Sequence, residues 1–133
     1  MKLHAQINAD FNAVTGYGPD YIEVNRIRHP DSMILAGAGP VQSWAAGALE
    51  LLRPEDLAPV LALDPEVVLI GTGAVHRFPP LDLLRPLIER GVGFEVMDTG
   101  AACRTFNILI GEGRRVVAAL LLPRLAAGAG SDA

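Results

Sequence analysis

The residues that could carry out chemistry lie in two short polar stretches, each directly after an apolar run. These stretches are Gly71-Thr72-Gly73 and Asp98-Thr99-Gly100, and Cys103 and Arg104 follow shortly after the second. A thiol near a helix N-terminus and a guanidinium group is placed for a lowered pKa. The free amides of the same helix N-terminus would favour an anion. The pattern therefore indicates a site for a small anionic ligand. Its candidate ligand-binding residues are Gly71, Thr72, Gly73, Asp98, Thr99, Cys103 and Arg104.

Each of these features also has a structural explanation, which we favour. The Gly-Thr-Gly stretch lacks the lysine and the following helix of a phosphate-binding loop, so it reads as a tight turn. Asp98 or Thr99 suits a helix cap. Cys103 lies at the margin of a buried helical arc, where a cysteine usually serves as inert packing.

A complete catalytic set is not recognisable in the sequence. His76 follows Gly73 by three residues and could approach the site, but His4 and His29 belong to the other half of the chain. The acidic residues form neither a spaced carboxylate pair nor a metal-ligand pattern. We therefore expect no catalytic residues, no metal and no cofactor, and we lean against an enzyme.

Two strands must position the polar stretches. The run 66–70 is continuously apolar, which is typical of a strand covered on both faces. The run 93–97 is the next strand, and a helix over 80–90 lies between them. The simplest assembly is a βαβ unit with parallel strands, whose carboxyl ends open on one edge of the sheet. Open α/β sheets bind ligands at that edge.

Two helices pack on these strands. The first ends at Gly91, a C-cap glycine, and Pro86 on its polar side predicts a bend rather than a break. The second spans 100–110, with Arg104 and Asn107 opposite its buried arc. The buried side of the first helix is predicted to hold Leu81, Leu83, Leu84, Leu87 and Ile88, and that of the second Ala102, Phe106, Leu109 and Ile110.

The N-terminal half predicts short antiparallel strands. Turn-forming residues occupy 16–20, and the alternation over 21–28 predicts one half-buried strand with Ile22, Val24 and possibly Arg26 on one face. Strands are predicted over 32–36 and 40–44, and Trp44 reads as a core anchor. Residues 53–61 predict a short helix with Pro54 in its first turn.

Composition bounds the class of protein. A chain of 133 residues predicts one α/β domain over 1–125 and a flexible tail over 126–133. The net charge of −4 argues against a nucleic-acid partner, and a single cysteine excludes an internal disulfide. No apolar run approaches the ~18 residues of a membrane span, and no signal peptide is recognisable. We expect a soluble, cytoplasmic protein of undetermined oligomeric state.

The last apolar segment, Val116–Leu122, is ambiguous between helix and strand by pattern alone. The stretches 68–73, 95–109 and 112–116, with the Gly16-Tyr17-Gly18 turn, resemble a domain-of-unknown-function family. Its eukaryotic members include a mitochondrial respiratory complex I assembly factor and an adipogenesis-associated domain protein.

The resemblance implies the three-layer α/β Mth938-like fold, with a central mixed sheet and the last segment as an antiparallel strand. It also implies a non-catalytic, protein-binding or assembly-factor-like role, here in a bacterial member. The alternative is a small anionic ligand-binding protein or an enzyme, with its site at the carboxyl ends of strands 66–70 and 93–97.

Overall fold

A computed structural model describes residues 11–44 and 48–124. The N-terminal strands are β1 (Val14–Gly18), β2 (Tyr21–Val24), β3 (Ile27–His29), β4 (Met33–Ala36) and β5 (Gln42–Ser43). Two 3₁₀ helices, Leu49–Leu51 and Pro54–Leu57, precede α1 (Ala58–Leu61). The rest of the chain forms β6 (Val67–Gly71), α2 (Leu81–Glu89), β7 (Gly93–Met97), α3 (Thr99–Gly111) and β8 (Val116–Leu120).

The central sheet has five strands in the order β5-β4-β8-β6-β7. β6 runs parallel to β7 and to β8, so the predicted βαβ unit is confirmed. β8 confirms that the last apolar segment is a strand. It is antiparallel to β4, as expected, and it also pairs in parallel with β6. The sheet is mixed because β4 alone enters from the opposite direction.

Helices cover both faces of this sheet and make three layers. Alternate residues of β6 point to opposite faces, as the pleat of a strand requires. Leu69 joins Phe106 of α3 in one core cluster. Val68 and Ile70 join Leu84 of α2 in the other. This double burial explains why the strand is continuously apolar.

The prediction that Trp44 anchors the core is confirmed. It is buried, and its indole N–H donates to the carbonyl oxygen of Asp56 at 2.9 Å. The indole thereby fastens the end of β5 to the 3₁₀ helix Pro54–Leu57. Pro54 opens that helix as predicted, and Pro59 lies in the first turn of the short α1.

α2 buries a narrower stripe than the sequence predicts. Leu83, Leu84 and Leu87 are buried, whereas Leu81 and Ile88 are 68% and 51% exposed. At about 100° per residue, these two side chains lie about a quarter turn or more from the middle of the buried arc. Their predicted burial is therefore wrong. The helix continues through Pro86 to Glu89, and Gly91 follows the C-cap Arg90 with a positive φ of 69°, which suits a glycine that terminates a helix.

The remaining strands form a separate antiparallel sheet in the order β1-β2-β3. The single strand predicted over 21–28 is wrong, because Asn25 and Arg26 adopt positive φ values of 51° and 70° and turn the chain between β2 and β3. The turn predicted over 16–20 is shorter than expected: β1 extends to Gly18, and Pro19-Asp20 make the turn.

The three-stranded sheet is fixed to α3 by one amide side chain. Asn107 accepts from the Val14 N–H at 2.9 Å and donates to the Val14 carbonyl oxygen at 2.8 Å. A side chain that satisfies both backbone groups of one residue mimics a neighbouring strand. These two bonds therefore fix the position of β1 relative to α3.

Several expectations concern residues outside the described ranges. These are the signal-peptide assessment of the first residues and the tail predicted over 126–133. Within the ranges 11–44 and 48–124, none of the helices is long and apolar enough to cross a membrane.

Candidate functional site

The two polar stretches lie side by side at the carboxyl edge of the sheet, as predicted. β6 ends opposite β7 with Gly71 paired to Met97. The Thr72 N–H donates to the Met97 carbonyl oxygen, and the Thr99 N–H donates to the Gly73 carbonyl oxygen, both at 2.9 Å. The loops after the two strands are therefore bonded directly to each other.

The two threonine hydroxyls at this edge bond to the protein itself. Thr99 is fully buried; its Oγ1 accepts from the Gly73 N–H at 2.8 Å and donates to the Leu121 carbonyl oxygen at 2.7 Å. Thr72 Oγ1 donates to the Val75 carbonyl oxygen at 2.7 Å and accepts from the Arg77 N–H at 3.2 Å. Both hydroxyls stabilise the junction of the loops.

Gly71 allows α3 to approach β6 closely. A β-carbon at this position would lie 2.9 Å from Thr99 Oγ1 and 3.0 Å from Leu120 Cδ2. Contacts this short are not tolerated without displacement, so a side chain would push the helix from the strand. The glycine therefore has a packing role at the junction.

The N-terminus of α3 is capped by its own chain. Asp98 is the N-cap, and its Oδ1 accepts from the Ala101 N–H at 2.8 Å. The Asp98 carbonyl oxygen accepts from the Ala102 N–H at 2.9 Å. Because the Thr99 N–H is also bonded, three amides of the first turn already have protein acceptors.

Tyr17 lies over the same helix terminus. A β-carbon at Gly100 would come within 2.8 Å of the Tyr17 hydroxyl oxygen, so the phenol ring rests directly on the glycine. The Arg104 guanidinium donates to that hydroxyl. Arg104 is exposed, so its cation is the feature of the predicted site that solvent reaches most readily.

Cys103 lies in the core rather than at the margin of the helix. It is 1% exposed and belongs to the same cluster as Phe106. Burial raises the pKa of its thiol from 9.0 to about 12; Arg104 lowers it and Asp98 raises it further, each by less than burial does. The predicted lowering of this pKa is wrong, because desolvation of the thiolate outweighs the nearby guanidinium.

The seven candidate residues are thus brought to one edge but differ in access. Arg104 is exposed and Asp98 is half-buried, while Gly71, Thr72, Gly73, Thr99 and Cys103 are buried. Their ligand-binding role stays a prediction. His76 is exposed on the loop after β6. Across the described ranges, the His, Cys, Asp and Glu residues form no group of three that could hold a metal ion.

Large apolar side chains are exposed on two segments that follow or adjoin the β6 loop, and the sequence did not single them out. The loop from β6 to α2 exposes Val75 by 53% and Phe78 by 65%. Leu81, the first residue of α2, is 68% exposed, and Leu51 of the first 3₁₀ helix is 69% exposed. Arg77 of the loop forms an ion pair with Glu50, the neighbour of Leu51. We call Leu51, Val75, Phe78 and Leu81 the apolar patch. The signal available in the sequence was a phenylalanine within a proline-rich loop.

Comparison with known proteins gives a family match and several relatives. The family described as "Protein of unknown function (DUF498/DUF598)" matches residues 14–121. The bovine NADH dehydrogenase [ubiquinone] 1 alpha subcomplex assembly factor 3 is 40% identical over 86 residues, 62% of this chain and 46% of the relative. A 13 kDa major membrane protein of Francisella tularensis is 34% identical over 68 residues, 51% of this chain and 55% of the relative. The chain spans about half the length of these curated relatives.

Solved structures share the fold. A crystal structure of a Bordetella parapertussis protein is 46% identical with a TM-score of 0.80, covering 84% of this chain and 96% of that one. The solution structure of a Bordetella pertussis protein, described as a Mth938-like domain, is 36% identical with a TM-score of 0.75 and covers 90% of each chain. The Mth938-like fold implied by the family resemblance is therefore confirmed.

Proposed function

The chain belongs to the family of proteins of unknown function DUF498/DUF598, and we propose that it is a non-catalytic protein-binding domain of the assembly-factor kind. The observation that carries this proposal is the apolar patch. Isolated exposed hydrophobic residues are ordinary, but large exposed ones concentrated on two segments joined by the Arg77–Glu50 ion pair favour a protein interface. The names of the relatives called assembly factors of NADH dehydrogenase support a protein as the partner.

The patch is held in place by the fold beneath it. The Thr72 hydroxyl bonds both the Val75 carbonyl oxygen and the Arg77 N–H, which fixes the start of the loop. The Arg77–Glu50 ion pair ties the loop to the first 3₁₀ helix. An apolar surface that is already ordered loses less conformational entropy when a partner covers it.

The state of the carboxyl edge also favours binding over catalysis. The threonine hydroxyls, three amides of α3 and the Asp98 carboxylate have protein partners. Burial keeps the Cys103 thiol protonated near neutral pH. The polar groups of this edge therefore stabilise the loop that carries the patch.

Affinity capture from the native host tests the proposal. The tagged protein is expressed at its endogenous level, and the double variant Phe78→Ser/Leu81→Ser is compared with Ile27→Ser/Ile108→Ser. The control removes two side chains of similar exposure, 62% and 60%, from β3 and α3. We expect the patch variant to lose its partner about thirtyfold, for a loss of about 2 kcal/mol of binding free energy, while the control retains it.

Two results would contradict the proposal. One is a reproducible absence of any co-purifying protein, and the other is equal capture by the patch variant and the control.

The cytoplasmic placement is part of the same proposal. Both the soluble and the membrane fractions must be examined, because one relative is named a membrane protein. Recovery of the partner and the chain from the membrane fraction alone would overturn that placement.

A small anionic ligand at the carboxyl edge is the second candidate. It is supported by the exposed Arg104 guanidinium at the N-terminal part of α3, beside the Tyr17 hydroxyl. Titration with inorganic phosphate, followed by amide NMR shifts at Gly100 and Ala101, tests it. Saturable shifts that disappear in Arg104→Gln would support it, and their absence in the wild type would contradict it.

A further inference from the structure

A cavity of about 340 Å³ opens at the edge of the central sheet opposite the polar loops. Pro65, just before β6, lines it, as do Ala36 at the end of β4 and Val116 at the start of β8. β6 runs from this cavity to Gly71, so the whole length of a strand separates it from the predicted site. The cavity is therefore independent of the proposed function.

The body of the cavity is apolar. Its largest apolar lining side chains are Phe11, Leu63 and Ile110, and Val116 and Val117 also line it. Phe11 and Leu63 are each 37% exposed, so both have surface left to cover. The cavity volume falls within the range of about 300–1,000 Å³ that is typical of small-molecule binding sites. An aliphatic chain suits these walls.

Two arginines are the charged residues among the described lining residues, and no aspartate or glutamate of the described ranges is among them. Arg114 donates through Nε to Glu66 at 2.9 Å, and Arg115 donates through Nε to the Asp64 carbonyl oxygen at 3.3 Å. Within the described part of the chain, neither arginine has a hydrogen bond from its Nη atoms. Each guanidinium is thus oriented by one bond and keeps its outer donors.

Glu66 does not cancel both of these charges. One of its carboxylate oxygens accepts from Arg114 Nε, and the other accepts from the Arg115 backbone N–H at 2.9 Å. Those bonds lower the pKa of Glu66, the Arg115 N–H most, so its carboxylate stays ionised and engaged with the turn between α3 and β8. The two lining arginines thus carry two positive charges beside the one negative charge of Glu66, which leaves an excess of positive charge at this end of the cavity.

We propose that this cavity binds a small amphipathic carboxylate, with its aliphatic chain against Phe11, Leu63 and Ile110 and its carboxylate on Arg114 and Arg115. Planar guanidinium groups match the two oxygens of a carboxylate, which a neutral head group cannot reproduce. Both parts of the ligand are needed. The apolar walls can bury an aliphatic chain but cannot bind a charge. The two arginines can bind a carboxylate, but they do not form an enclosed polar pocket that would hold it without the chain.

Amide NMR titration of the full chain tests the proposal, with octanoate as the probe. Octanol carries a similar chain without the charge, and acetate carries the charge without the chain. We expect saturable shifts at Gly37, Ala38, Gly113 and Val117, which line the cavity, and none at Gly73 on the opposite edge. Octanol and acetate should bind at least about tenfold more weakly, because each lacks one of the two contacts.

Two variants separate recognition from non-specific association. Arg115→Gln keeps two methylenes of the side chain and a polar end but removes the charge. It should weaken octanoate binding about tenfold, because a charge-assisted hydrogen bond is lost. Arg124→Gln is the matched control, since Arg124 is exposed and its backbone adjoins Gly73 at the other edge. It should leave octanoate binding unchanged.

Three results would overturn the proposal. The first is non-saturable shifts spread over the surface. The second is equal binding of octanol and octanoate, or of Arg115→Gln and the wild type. The third is a response of the cavity amides to protein concentration instead of octanoate, which would mean that a second copy of the chain covers the cavity.

Discussion

The buried hydroxyl of Thr99 is predicted to be the main polar fastening of the carboxyl edge. Its Oγ1 joins the Gly73 N–H to the Leu121 carbonyl oxygen, and so connects the loop after β6 with the segment after β8. Thr99→Val keeps the shape of the side chain but removes both bonds. It leaves one donor and one acceptor buried without a partner.

The size of the effect follows from those two groups. Each unsatisfied buried group costs about 1–3 kcal/mol, so Thr99→Val should lower the free energy of unfolding by about 2–6 kcal/mol. Thr99→Ser is the matched control. It retains the hydroxyl and should cost only about 1 kcal/mol for the lost methyl group.

Urea unfolding followed by tryptophan fluorescence measures this difference. Trp44 is the single tryptophan and is buried, so its emission reports the global transition. With a urea slope of about 2 kcal/mol per molar, the midpoint of Thr99→Val should fall by about 1–3 M. If Thr99→Val proves no less stable than Thr99→Ser, the hydroxyl does not fasten the edge and the reasoning fails.

Three further predictions concern single residues. The thiol pKa of Cys103 rises to about 12 on folding, so above about pH 9 only the unfolded thiol ionises. The free energy of unfolding of the wild type should therefore fall with rising pH more steeply than that of Cys103→Ala. A parallel pH dependence of the two proteins would contradict this. Asn107→Ala removes both bonds to Val14, so hydrogen exchange of β1 should quicken while β6 and β8 keep their protection, and unchanged exchange of β1 contradicts it. Arg26→Gly relieves a positive φ of 70° and should raise the free energy of unfolding by about 1 kcal/mol. Arg28→Gly, within β3, is the control and should lower it. A lower free energy of unfolding for Arg26→Gly would refute the turn geometry.

The second half of the fold follows from local signals in the sequence. The apolar run of β6, the glycine after α2 and the aspartate before α3 each act within a few residues of where they stand. Gly91 and Asp98 take the conformations that their residue types predict. Strand pairing adds only one short step, because β6 and β7 flank a single helix.

The hairpin of β2 and β3 could not be predicted in the same way. Alternation of apolar and polar residues continues over 21–28, and the turn lacks the glycine that usually marks such a hairpin. Asn25 tolerates a positive φ, but Arg26 ordinarily does not. Antiparallel pairing of β2 with β3 holds Arg26 at its positive φ. A pattern read along one strand contains no information on that pairing.

The carboxyl edge shows a different limit. The sequence predicts that the two polar loops meet, and they do. It does not predict that the Thr99 hydroxyl is taken by Leu121, since β8 reaches the edge from a distant part of the chain. The cavity at the other edge was missed for the same reason, because its walls come from separate segments around Phe11, Ala36, Leu63 and Ile110.

Photo-crosslinking from the apolar patch tests the proposed protein-binding role most directly. A photoreactive phenylalanine analogue replaces Phe78 in the native host, and the same analogue replaces Ile108, which is similarly exposed on α3. Our account predicts a discrete adduct with one protein from position 78 and none from position 108. No adduct from position 78, or the same adducts from both positions, would contradict it.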